Sequence, residues 1–138
     1  MRVEGSRLMP SRHLQDADPR LREAWADILH DYRQRHPEHD LILTATYRSP
    51  EEQQGLYATG RTAPGQIVTY CDGVQQPSKH NAYPSHALEF AVVIGGKVSW
   101  DSAEYAPVGM LGEAAGLVWG GSWVHFKDFP HLELPVMV

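Results

Sequence analysis

The chain has 138 residues, 42% of them hydrophobic and 21% charged, with a net charge of −5 from 12 basic and 17 acidic side chains. That length suits one domain with a real core and is too short for two. No run of about 18 apolar residues occurs, which argues against membrane insertion through a spanning helix, and the acidic balance speaks against general nucleic-acid binding, which relies on basic patches.

Residues 1–17 read as an irregular lead-in, without the apolar stretch of a secretory signal, so synthesis in the cytoplasm is expected. The single cysteine, Cys71, has no internal disulfide partner and reads as a loop thiol in a chain made in a reducing compartment. Asp18-Pro19 then supplies a helix N-cap followed by proline at the first helical position, where a missing N–H costs nothing. Leu21, Trp25, Ile28, Leu29 and Tyr32 follow at helical spacing as one apolar stripe, and His36-Pro37 ends the helix. Leu41 to Tyr47 is β-rich and reads as a buried strand. Ser49-Pro50-Glu51-Glu52 is a capping box that starts a second helix, which stops at Gly60. Arg48 sits at that strand-to-helix junction, a place that exposes side chains to clefts.

From Gly60 to about Gln76 no periodicity holds beyond a short β-like Ile67 to Tyr70, and long loops of this kind in small domains are functional or mobile. His86 to Ile94 alternates, with Leu88, Phe90, Val92 and Ile94 on one face and Ala87, Glu89, Ala91 and Val93 on the other. Gly95-Gly96 turns the chain into a return strand, Lys97 to Trp100. Asp101 to Ala115 reads as a helical segment interrupted by Pro107, Leu117-Val118-Trp119 as a short strand, and His131 to Leu134 as the last one. These elements predict a single α+β domain over residues 1–138: a small, mostly antiparallel sheet with helices packed on one side.

Chemistry concentrates late in the chain. Glu89 projects from a strand face among small alanines, a costly place for a carboxylate unless it is paired or metal-bound. His80 on the preceding loop and His131 near the C-terminus complete a His-Glu-His set, and two histidines with one carboxylate suit a catalytic zinc ion that keeps a position for water. Asp128, three residues before His131, is placed to handle that water's proton, and Arg48 to hold a substrate carboxylate or a developing oxyanion. Spacing alone leaves open that His80 is a surface loop residue and His131 a hydrogen-bonded strand histidine. His86, near Glu89 in sequence, is an alternative ligand, but its side chain should point with Leu88 to the other face.

The blocks Thr46 to Gln53, Gly60-Arg61-Thr62 with Pro64-Gly65 and Ile67-Val68-Thr69, Ser78-Lys79-His80-Asn81, Pro84-Ser85, Ala87, and Trp119-Gly120-Gly121, Trp123, Phe126, Asp128, Pro130-His131 resemble phage endolysins of the L-alanyl-D-glutamate peptidase type. These belong with the zinc D-Ala-D-Ala carboxypeptidases and dipeptidases, and the similarity runs in order from about Ser11 to Leu134. The resemblance implies that fold, zinc held by His80, Glu89 and His131, Asp128 as catalytic base, and Arg48 and Ser78 at the substrate, with no organic cofactor. It implies cleavage of peptidoglycan stem peptides between L-alanine and D-glutamate, by a monomer that reaches the cell wall after release. A carboxypeptidase trimming D-Ala-D-Ala, or a wall-binding or phage-structural module without turnover, are the alternatives.

Two positions depart from the family pattern. Glu89 stands where the family has aspartate, and its extra methylene displaces the carboxylate by roughly 1.5 Å. Ser122 stands where the Gly-Gly-x-Trp block usually carries aspartate, which removes an expected hydrogen-bond acceptor behind the ligands.

Overall fold

The computed structural model describes residues 9–136. Helix α1 spans Pro19–Arg35, with the Asp18 side chain accepting from Arg20 N at its start, as the Asp-Pro pair predicts. Its stripe of Leu21, Trp25, Ile28 and Tyr32 is buried. Strand β1 spans His39–Ala45, two residues earlier than the β-rich run suggests, because His39 and Asp40 already pair with Ile94 and Val93. Helix α2 spans Pro50–Ala58 and opens on a complete Ser49–Glu52 capping box. Strands β2 (Ala87–Ile94) and β3 (Lys97–Ser99) form the hairpin across Gly95-Gly96. Helix α3 spans Ala106–Ala114, then β4 (Val118–Trp119) and β5 (His131–Glu133) close the order.

All named strand pairs are antiparallel: the sheet runs β1-β2-β5-β4, with β3 on the end of β2. Leu88, Phe90 and Val92 of β2 join Leu132 of β5 on one face, packed with the α1 stripe and with Tyr105 and Val108. This is the helix-covered face predicted by the alternation of β2. The opposite face carries Ala87, Glu89 and Ala91, and it is the face on which chemistry is possible.

Two local readings are corrected. Pro107 does not interrupt a helix but lies in the first turn of α3, where its missing N–H has no intrahelical partner to lose; the break falls before it, after a 3-10 turn at Ser102–Glu104. Ile67 to Tyr70 is not a strand. Its apolar side chains are exposed at Ile67, Val68 and Tyr70, so no buried face exists to stabilise it as one. Of the lead-in, residues 1–8 lie outside the described residues; Leu14–Asp16 form a 3-10 turn and Ala17 bridges to Ser85.

Leu132, fully buried, sits beneath the segment that carries His131. Truncating such a side chain removes transfer energy and leaves a cavity. Leu132→Ala is expected to lower unfolding free energy by about 2–5 kcal/mol, read from the midpoint of urea denaturation.

Candidate metal centre

Three elements deliver the site. Strand pairing sets Glu89 directly opposite His131 across β2 and β5, so both side chains leave the same face as neighbours. His80 comes from a 3-10 turn, Lys79–Asn81, docked on the end of β1: Arg48 N donates to His80 O at 2.9 Å, and Asn81 Nδ2 donates to Arg48 O at 2.8 Å. One nitrogen from each histidine and a carboxylate oxygen of Glu89 all lie within 4.8 Å of one another.

The two histidines are oriented by different partners. His80 Nδ1 is 2.7 Å from Thr46 O; a carbonyl only accepts, so Nδ1 carries the proton and the bare Nε2 faces Glu89 Oε2 at 3.8 Å. Burial first, and the Arg48 charge second, lower the pKa of His80 to about 3, so it is neutral. His131 Nε2 donates to Glu133 Oε1 at 2.7 Å, which leaves Nδ1 facing Glu89 Oε2 at 3.9 Å and Asp128 Oδ2 at 3.7 Å. Burial opposes protonation of His131, but Glu133, Glu89 and Asp128 outweigh it and raise its pKa to about 9.

His80 Nε2 and His131 Nδ1 are both buried without a hydrogen-bond partner. Buried polar atoms are nearly always paired, so two orphans converging on a carboxylate mark a place built for a cation. The N, N, O donor set suits a divalent metal, and these three residues could hold one.

Around them, burial would raise the pKa of Glu89, but His131, His80 and Arg48 bring it down to about 2: it is a carboxylate. Asp128 behaves oppositely, raised to about 6 by burial and then by the Glu89 charge. Asp128 is held close by the Gly120-Gly121 turn: its N donates to Gly120 O at 3.0 Å, and a Cβ at Gly120 would collide with Asp128 O.

Arg48 is buried, not exposed as its junction suggests. Its Nη1 donates to Gln53 Oε1 at 2.9 Å, and Nη2 lies 3.9 Å from Glu89 Oε1. The Ser78 hydroxyl accepts from His80 N at 3.1 Å, so it caps the turn that carries the ligand. His86 is half-exposed, 4.0 Å from Asp18, and outside the cluster. Trp119 is buried in the core and donates to Phe129 O at 2.8 Å.

Three comparisons with known proteins bear on this geometry. A family model described as D-alanyl-D-alanine carboxypeptidase matches residues 67–134, the stretch that carries His80, Glu89, Asp128 and His131. A curated relative, the peptidoglycan L-alanyl-D-glutamate endopeptidase CwlK of Bacillus subtilis, is 37% identical over 105 residues, covering 69% of this chain and 60% of its own. The chain is similar to peptidases of this kind over the stretch that carries the candidate ligands. The crystal structure of the L-Ala D-Glu endopeptidase ChiX of Serratia marcescens shares the fold, with a TM-score of 0.65 at 23% identity over 88% of this chain and 83% of that one. The chain spans about 60% of the length of the curated relative it matches.

Two residues that sequence reasoning passed over matter at this centre. Glu133, taken there only as part of a strand, accepts from His131 and is paired through Oε2 with Lys79 Nζ at 3.0 Å. Lys79 also donates to Leu134 O at 2.6 Å, tying the His80 turn to β5. The acceptor expected to be missing at Ser122 is thus supplied by Glu133, while Ser122 bonds to Glu113 on the surface. The available signal was period two: His131 and Glu133 share a strand face. Acceptors behind metal-binding histidines are typically worth about 10–100-fold in metal affinity. Glu133→Ala is expected to weaken divalent-metal affinity by about that factor, measured by competition with a chromophoric chelator; unchanged affinity would refute the role.

Proposed function

We propose that this chain is a zinc-dependent peptidoglycan endopeptidase that hydrolyses the L-alanyl-D-glutamate bond of stem peptides. The observation that carries this reading is the convergence of His80 Nε2, His131 Nδ1 and the Glu89 carboxylate beside Asp128, in a chain similar to a protein named for that activity.

His80, Glu89 and His131 would hold the ion. When bound, zinc supplies Lewis acidity, polarising a peptide carbonyl and lowering the pKa of water towards neutrality. The remaining work belongs to the protein. Asp128 takes a proton from the attacking water and returns it to the departing amine. Arg48, already held by Gln53, directs its guanidinium towards the oxygen that gains charge. Ser78 contributes at the substrate from the cap of the His80 turn. The resemblance to endolysins extends the proposal to phage or prophage lysis, with the peptidase domain acting on the wall as a monomer after release.

Glu89 in place of aspartate is accommodated in this reading by geometry. Its Oε2 lies 3.8 Å from His80 Nε2 and 3.9 Å from His131 Nδ1, a nearly equal separation from the two. The family model's description favours one second reading, removal of terminal D-alanine.

The test is turnover of purified peptidoglycan by the chain loaded with one equivalent of zinc, with products identified by mass spectrometry. New stem peptides beginning at D-glutamate are expected. They should disappear when a chelator strips the metal, and fall by about 10²–10⁴-fold in Asp128→Ala, the usual worth of a general base. Release of D-alanine alone would support the carboxypeptidase instead. Bound zinc with no cleavage would refute the proposal.

A further inference from the structure

Outside the metal centre, the Gly60-Arg61-Thr62 block has no part in the mechanism above, and the structure gives it a defined place. Gly60 has φ +82°, and a Cβ there would stand 2.5 Å from Ile67 N, so the chain leaving α2 lies directly against the 67–70 segment. Arg61 consequently lies between two tyrosines, with its guanidinium carbon 3.7 Å from the Tyr57 ring centre and 5.5 Å from that of Tyr70. Tyr70 in turn meets Phe126 edge to face at 5.1 Å. Phe126 is the sole non-glycine residue with positive φ among the described residues, at +53°. Such backbone strain persists only where the surroundings enforce it.

Two chains of contacts connect this array to the metal centre. Thr69 and Cys71, flanking Tyr70, accept from Gln53 Nε2 at 3.3 and 3.0 Å, and Gln53 holds Arg48. Phe126 lies in the loop that bears Asp128, and Trp123 of that loop packs on His131 at 5.1 Å. Tyr70 and Phe126 are nevertheless 60% and 45% exposed, an aromatic surface left open to solvent.

The cation there is uncompensated. Among the described residues the arginine and lysine ion pairs fall on Arg20, Arg33, Arg48 and Lys79. Arg61 has none, in a chain with 17 acidic side chains. Its Nη1 donates to Tyr57 O at 2.6 Å, and the Nε–Nη2 edge of the guanidinium has no hydrogen-bond partner among the described residues. Stacking fixes the plane of the fork, and a planar fork matches a carboxylate in two-point contact.

We propose that Arg61, framed by Tyr57, Tyr70 and Phe126, is a substrate subsite that receives a carboxylate of the stem peptide. The inference rests on the endopeptidase reading. A stem peptide offers two sources, the α-carboxylate of D-glutamate and the C-terminal carboxylate, which share one chemistry.

The experiment uses the zinc-loaded Asp128→Ala protein and the synthetic peptide L-Ala-γ-D-Glu-L-Lys-D-Ala-D-Ala, with affinity measured by calorimetry. Two further peptides are amidated, one at the D-glutamate α-carboxylate and one at the C-terminus. Amidation at one of the two positions is expected to weaken binding roughly tenfold, the scale of a charge-assisted contact, and the position identifies the source. Adding Arg61→Gln should weaken binding of the free acid by a similar factor and leave the affected amide unchanged. Equal affinity for all three peptides, or an Arg61→Gln penalty that persists with both amides, would overturn the subsite while leaving the endopeptidase reading intact. Absence of binding by any peptide, together with no turnover in the wild-type chain, would overturn both. The comparison of acid and amide needs no mutation at Arg61, so it holds if that variant folds poorly.

Discussion

The site depends on a single register. Glu89 on β2 and His131 on β5 are paired across an antiparallel ladder, and a slip of one residue would turn one of them into the core and leave the other alone. What prevents the slip is the apolar face beneath. Leu88 and Leu132 are partners in the same ladder and both are fully buried, so the register that buries the leucines is the register that presents the ligands. Hydrophobic burial, which knows nothing of metals, thereby fixes the distance between a carboxylate and an imidazole.

His80 reaches the same point by a different route. It belongs to no strand, and backbone hydrogen bonds with Arg48 place it on the end of β1. The two histidines therefore meet different electrostatic surroundings. One faces a carbonyl behind and a guanidinium nearby and stays neutral; the other is surrounded by carboxylates and holds its proton strongly. Across the centre, Glu89 and Asp128 are likewise driven apart, one ionised readily and the other reluctantly. Acidic and basic groups thus alternate around the point where the unpartnered nitrogens of His80 and His131 meet the Glu89 carboxylate.

Much of this was legible from sequence because it rests on local rules. Asp18-Pro19 and the Ser49–Glu52 box are complete helix starts in themselves. The alternation of β2 placed Glu89 opposite the core, and the resemblance of the surrounding blocks pointed to the two histidines that the structure brings beside it. The misreadings have physical reasons too. Pro107 is ambiguous because proline both breaks and begins helices. Ile67 to Tyr70 has strand-like composition but no layer to cover it. Arg48 looked exposed because its burial depends on Gln53 and on Glu89, which is distant in sequence. Glu133 has both a local signal, its shared strand face with His131, and a distant partner in Lys79, more than fifty positions away, which the sequence does not show.

The side-chain amide of Gln53 has a consequence of its own. Through its oxygen it accepts from Arg48, and through its nitrogen it donates to Thr69 and Cys71. A rigid planar group used at both ends behaves as a connecting rod. The loop around Tyr70 cannot travel far without either dragging the guanidinium or leaving buried polar groups unpaired, and the second option is expensive. Movement of the Tyr70 loop and alignment of Arg48 are thus one mechanical degree of freedom, carried by three bonds of a single glutamine.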